Sequence, residues 1–160
     1  MVNTAYANLT ATDGTTPTTA LGSTLEIDGA TWVYVKASAA VAKGKVSRIT
    51  SDNTIAASTA ADFTTTRPAD VCIPQFDFGS GEYGWAPVGP FKLREDGVTT
   101  FVVISKTAAA SVVLYGTTTA GSVDDAGTNP PIQGLTLTAA AASDDVLTAC
   151  IATKRLTVNS

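Results

Sequence analysis

Asp28-Gly29 stands between two runs of strand-forming residues, Thr24–Ile27 and residues 30–36. Asp-Gly suits a two-residue loop whose positive φ angles match the twist of the strands it joins, so the pair predicts a β-hairpin. In the second run Trp32, Tyr34 and Lys36 point one way and Val33 and Val35 the other. Both faces are largely apolar, which predicts a central strand buried on both sides. A second pair, Asp96-Gly97, predicts another hairpin into residues 99–105.

Turn signals recur every 8–12 residues along the rest of the chain. Short strands are expected at 46–49, 54–57, 71–78, 82–88, 91–94, 111–115, 132–137, 146–151 and 156–158. Pro74 places its own residue at a sheet edge or bulge, because it cannot donate to a ladder. Residues 37–42 could make one helical turn, and 57–66 a loop or short helix. No long stretch repeats at the helical period. The expected fold is all-β: an antiparallel β-sandwich or β-barrel of about ten short strands. An Ala-rich turn precedes an apolar strand three times, at 36–46, 106–113 and 138–146. The spacings are unequal, which excludes a solenoid and leaves either compositional accident or a recurring way to cross a barrel end.

Residues 1–23 carry only Tyr6, Leu9 and Leu21 as sizeable apolar side chains. Such a segment buries too little surface to order itself, which leaves a disordered tail or an arm that orders on a partner. It is expected to be an extended N-terminal arm that takes its conformation from outside the subunit, with residues 24–160 forming a single β domain. Asn8-Leu9-Thr10 matches the N-glycosylation pattern and is read as chance.

The 160 residues include 27 threonines, 26 alanines and no histidine. Without histidine the commonest general base and zinc ligand are missing, which argues against the usual hydrolase and zinc sites. The net charge of −4 opposes docking on nucleic acid or anionic lipid. No leader or membrane span is expected. Cys72 and Cys150 sit in apolar stretches as two buried thiols or one disulfide; no CxxC suggests redox work.

The residues of Gly79-Ser80-Gly81-Glu82-Tyr83-Gly84 match a dinucleotide fingerprint, but Pro87 and Pro90 follow where a helix would have to start, so a hairpin is expected. Asp124-Asp125 and Asp144-Asp145 lack calcium-loop spacing and read as solvated loop charges. Phe76, Phe78, Tyr83 and Trp85 form the densest aromatic cluster, which reads as core or subunit interface or, alternatively, as a sugar- or peptide-binding face. Across a hairpin closed by residues 79–81 the two pairs could stack. No catalytic, cofactor-binding or metal-binding residues are assigned.

The succession Trp32-Val33-Tyr34-Val35-Lys36-Ala37, then residues 39–46 (AAVAKGKV), then Gly84-Trp85-Ala86-Pro87-Val88-Gly89, resembles small structural proteins of tailed bacteriophages. Leu114-Tyr115-Gly116 followed by Ile132-Gln133-Gly134-Leu135 adds to it. The resemblance is to head decoration, or cement, proteins and covers residues 30–155. It implies a non-enzymatic homotrimer on the outside of the virion capsid, made in the host cytoplasm, with the major capsid protein as partner and no cofactor. Tyr6, Leu9, Phe78, Tyr83 and Trp85 are the expected partner-interface residues. The alternative is a carbohydrate- or receptor-binding β-module of a phage tail, fibre or bacterial adhesin, which would need Tyr83 and Trp85 partly exposed.

Overall fold

The computed structural model describes residues 9–27, 29–64, 69–91, 101–142 and 146–158. It is all-β. Eleven strands run in chain order: β1 (Thr24–Ile27), β2 (Ala30–Ala37), β3 (Ser47–Ile49), β4 (Thr54–Ala57), β5 (Ala69–Cys72), β6 (Tyr83–Pro87), β7 (Val102–Ser105), β8 (Tyr115–Gly116), β9 (Val123–Asp124), β10 (Ile132–Leu137) and β11 (Val146–Val158). A single 3₁₀ turn, Ala60–Phe63, interrupts them among the described residues.

The strands join in the order β1-β2-β4-β3-β5-β11-β7-β9-β8, with β6 also on β2 and β10 also on β11. The pairings are antiparallel except β2 with β4 and β7 with β9. The 13-residue β11 ties the sheet together. Its first residues pair with β7, residues 150–152 with β10, and Thr157 and Val158 with β10 on one side and β5 on the other.

Ile27 pairs with Ala30, and Gly29 has φ +72°, so the first hairpin closes as its sequence requires. Asp28 itself, the Asp96-Gly97 hairpin and Asp144-Asp145 lie outside the described residues. β2 is central, flanked by β1, β4 and β6. It separates two apolar clusters. Trp32 and Tyr34 join Trp85 and most of the chain's large apolar side chains in one. Val33, Val35 and Ala37 join Ile55, Cys72, Phe76, Phe78, Ala86 and Val88 in the other. Burying each Val, Phe or Leu contributes roughly 1.5–3 kcal/mol.

Five local expectations are corrected. The strand expected at 111–115 is only Tyr115–Gly116, and those expected at 146–151 and 156–158 are the single strand Val146–Val158. Residues 38–42 form bends and a bridge at Val41, not a helical turn. The strand expected at 71–78 stops at Cys72, just before Pro74; Phe78 returns only as an isolated partner of Val41. The aromatic pairs do not stack across the 79–81 turn. Phe76 and Phe78 stack on each other, 5.0 Å between centroids, over Gly84, which leaves room for them. Tyr83 and Trp85 point to the opposite face of β6, because side chains alternate along a strand.

The strands around two of the Ala-rich turns repeat at a constant interval, although the turns themselves do not. β2 leads through its turn to the β3-β4 hairpin, and β4 returns parallel beside the end of β2. β7 leads through its turn to β8-β9, and β9 returns parallel beside the end of β7. Ala37 pairs with Ile55, and Ser105 with Val123. The next amides donate to the same carbonyls: Ser38 to Ile55 at 2.9 Å, Lys106 to Val123 at 2.8 Å. Positive φ precedes each returning strand, at Asn53 and at Gly121. One shift of 68 positions relates Ala37 to Ser105, Val46 to Leu114, Asn53 to Gly121, Ile55 to Val123, and Asp28-Gly29 to Asp96-Gly97.

Candidate interaction surface

Of the expected interface residues, Phe78 and Trp85 are each 2% exposed, packed inside the subunit, and so have no surface to give a partner. Their apolar area is already consumed by the two clusters. Leu9 is half-buried against the larger cluster. Tyr83 is also half-buried, with Lys36 Nζ 5.3 Å from its ring centroid. Tyr6 lies outside the described residues.

The segment 9–23 departs from expectation. The expectation that it takes its conformation from outside the subunit is corrected, because it is held on its own domain. Gly22 and Ser23 extend the β1 ladder on Tyr34: Gly22 N–H donates to Tyr34 C=O at 2.9 Å, and Tyr34 N–H to Ser23 C=O at 2.9 Å. Further out, the arm caps the free edge of β6. Asp13 N–H donates to Tyr83 C=O, and Tyr83 N–H to Gly14 C=O, both at 2.8 Å. Thr12 Oγ1 donates to Glu82 Oε2 at 3.0 Å.

Between those contacts lies the Tyr34 hydroxyl. It donates to Asp13 Oδ2 at 2.7 Å and accepts from the Thr18 amide at 3.1 Å. Thr18 Oγ1 also donates to Asp13. Burial pushes the Tyr34 phenol above its ordinary pKa; the Thr18 hydrogen bonds oppose the rise and Asp13 adds to it. A buried tyrosine hydroxyl needs a partner. That requirement was readable at Tyr34, but not that Asp13 and Thr18 would meet it.

Among the described residues the exposed surface is made largely of small neutral side chains. The turns present Ala39, Ala40, Ala109, Ala139 and Ala140, and the arm presents Thr15 and Thr16. Its one described ion pair joins Arg155 to Asp70 through two hydrogen bonds, at 3.1 and 2.7 Å. Both side chains are about 40% exposed, so solvent screening leaves the pair worth at most about 1 kcal/mol. Cys72 and Cys150 are free, buried thiols in separate clusters. Desolvation raises both; Cys150 reaches about 12. At neutral pH such thiols are protonated and inert.

Gly79-Ser80-Gly81 turns directly into β6. Asp125 caps the Ala109 amide at 2.8 Å, and Asp124 the Ala126 amide at 3.1 Å. No group of three metal-ligating side chains occurs among the described residues. None of the described helices is long and apolar enough to cross a membrane. No family model, no curated protein and no solved structure matches the chain.

Proposed function

We propose that this chain is a non-enzymatic virion structural protein, a decoration or cement protein that binds the outer surface of a tailed-phage head and stabilises it. Its partners are the major capsid protein and further copies of itself, grouped as a homotrimer on the lattice. The reading rests on the resemblance of residues 30–155 and is carried by one structural observation: among the described residues, a surface dominated by Ala, Thr and Ser. Such side chains lose little rotamer freedom when they are covered, so extensive packing against neighbours costs less entropy than it would for a Lys- and Glu-rich surface. A carbohydrate-binding module would offer an aromatic platform, and Trp85 is not available for one.

The test is head stability. Emptied, expanded heads of the phage from which the chain comes are heated with and without the purified protein. The proposal expects the heads to break at a higher temperature when the protein is present. Heads that break at the same temperature, together with saturable binding of the protein to intact host cells, would replace this reading with the receptor-binding one.

A further inference from the structure

The internal repeat extends to the strand that closes each unit. β6 runs antiparallel to β2, with Gly84 opposite Val35; β11 starts antiparallel to β7, with Thr148 opposite Val103. Since Val103 answers to Val35, Leu147 answers to Tyr83 and Val146 to Glu82. The hydrogen-bond phase agrees. Ala37 N–H donates to Glu82 C=O, so the backbone of Tyr83 faces the outer edge of its sheet. Cys150 N–H donates to Phe101 C=O, so the backbone of Leu147 faces outward in the same way.

The two edges differ in what covers them. Tyr83 receives Asp13 and Gly14 of the arm. Two residues beyond Leu147, Ala149 C=O accepts from Thr138 N–H at 2.9 Å. Outward from Leu147 there is no hydrogen-bond partner among the described residues, and its side chain is 52% exposed. A strand edge without a partner among the described residues, beside an exposed leucine, is a site for another strand.

The chemistry of the edge selects the strand. At Tyr83 the arm is gripped by Glu82 and by the Tyr34 hydroxyl, which suit Thr12, Asp13 and Thr18. At Leu147 those positions hold Val146 and Val102, and residues 146–151 carry no charge. The arm upstream of Asp13 is also uncharged and includes Val2 and Tyr6. Extended, residues 1–8 would span about 26 Å, enough to leave one subunit and lie along the next. We infer that the edge of β11 at Leu147 receives the N-terminal segment, residues 1–8, of a second copy of this chain. Each copy donates at one place and accepts at another, and such a head-to-tail contact closes into a ring when its rotation permits.

The experiment uses no heads, so its failure leaves the decoration reading standing. One chain carries Tyr6→Cys and another Leu147→Cys; Cys72 and Cys150 are buried and do not compete. The two are mixed and oxidised. The expected product is a disulfide-linked pair of twice 16.2 kDa containing one of each chain. A yield no greater than with Asp77→Cys in place of Leu147→Cys overturns the inference. So does a Leu147→Cys chain that links mainly to itself, since the edge would then meet its own copy. Sedimentation of the unmodified protein supplies the second measurement. Self-association is expected to fall at least tenfold on deleting residues 1–8 or on Leu147→Lys. A full-length chain that remains at 16.2 kDa, or one whose association survives both changes, contradicts it.

Discussion

The hydroxyl of Tyr34, in the central strand, donates to the carboxylate of Asp13 at 2.7 Å, and so a buried core residue holds the arm in place. The Tyr34 side chain is fully buried. Removing its oxygen leaves the Thr18 amide without its acceptor. Tyr34→Phe is expected to cost about 0.5–1.5 kcal/mol, the scale of a lost hydrogen bond whose partner residues, Asp13 and Thr18, are open to water. Thermolysin should then cleave faster at Leu21 in the arm, while the core stays folded. Deleting residues 1–22 should lower the melting temperature by at least about 4 °C, given roughly 2–4 °C per kcal/mol for a chain of this size. An unchanged melting temperature would mean that the arm's hydrogen bonds add nothing to stability.

Alkali should loosen the same contact. The folded-state pKa of Tyr34 is raised, so folding favours the protonated phenol. The stability this provides is fully present below the ordinary tyrosine pKa of about 10 and is lost as pH rises through the higher folded value. Urea unfolding between pH 8 and 11 should show stability falling from about pH 9, where unfolded thiols ionise, and more steeply above about pH 10, where unfolded tyrosine does. The fall should be shallower in Tyr34→Phe. The buried thiols act in the same direction, so that variant keeps part of the slope.

Much of this core could be read from the sequence, and the arm could not. The two-faced pattern of residues 32–36 and the Asp28-Gly29 loop are local signals, and both describe β2 correctly. The parallel return of β4 onto β2 depends on residues 18 positions apart, which no alternation pattern encodes. The facing of Phe76 and Phe78 was missed because the chain leaves its strand after Cys72, so strand parity could not be carried across Pro74. The arm was misjudged because it has few apolar residues. It is held by backbone hydrogen bonds and by Asp13 and Thr18, which hydropathy does not count. The repeat is hard to read because the 68-residue interval holds at strand positions and turn residues, while the Ala-rich turns between them differ in sequence.

Two glycines separate backbone strain from crowding. Gly29 and Gly89 have φ of +72° and +79°. A Cβ on Gly29 meets nothing, whereas one on Gly89 would lie 2.4 Å from the Lys154 carbonyl oxygen. Gly29→Ala should cost about 1 kcal/mol, and Gly89→Ala about 2–4 kcal/mol, from the left-handed conformation plus the displaced strand. Equal losses in chemical denaturation would show that the β11 backbone gives way freely.

Cys72 and Cys150 should resist alkylation at pH 8 in the native protein, and both should react in denaturant without reductant. Intact-mass analysis reads the result directly. Two unmodified thiols after denaturation, becoming reactive only with reductant, would mean a disulfide that the folded chain does not contain.

The most direct test of the proposed assembly role is a saturation count. Emptied, expanded heads are sedimented with increasing amounts of the protein, and bound copies are counted per copy of the major capsid protein. A decoration protein is expected to saturate at a fixed ratio, with bound copies in groups of three at equivalent lattice positions. Binding that never saturates, or no binding at concentrations where the chain is folded, would contradict it.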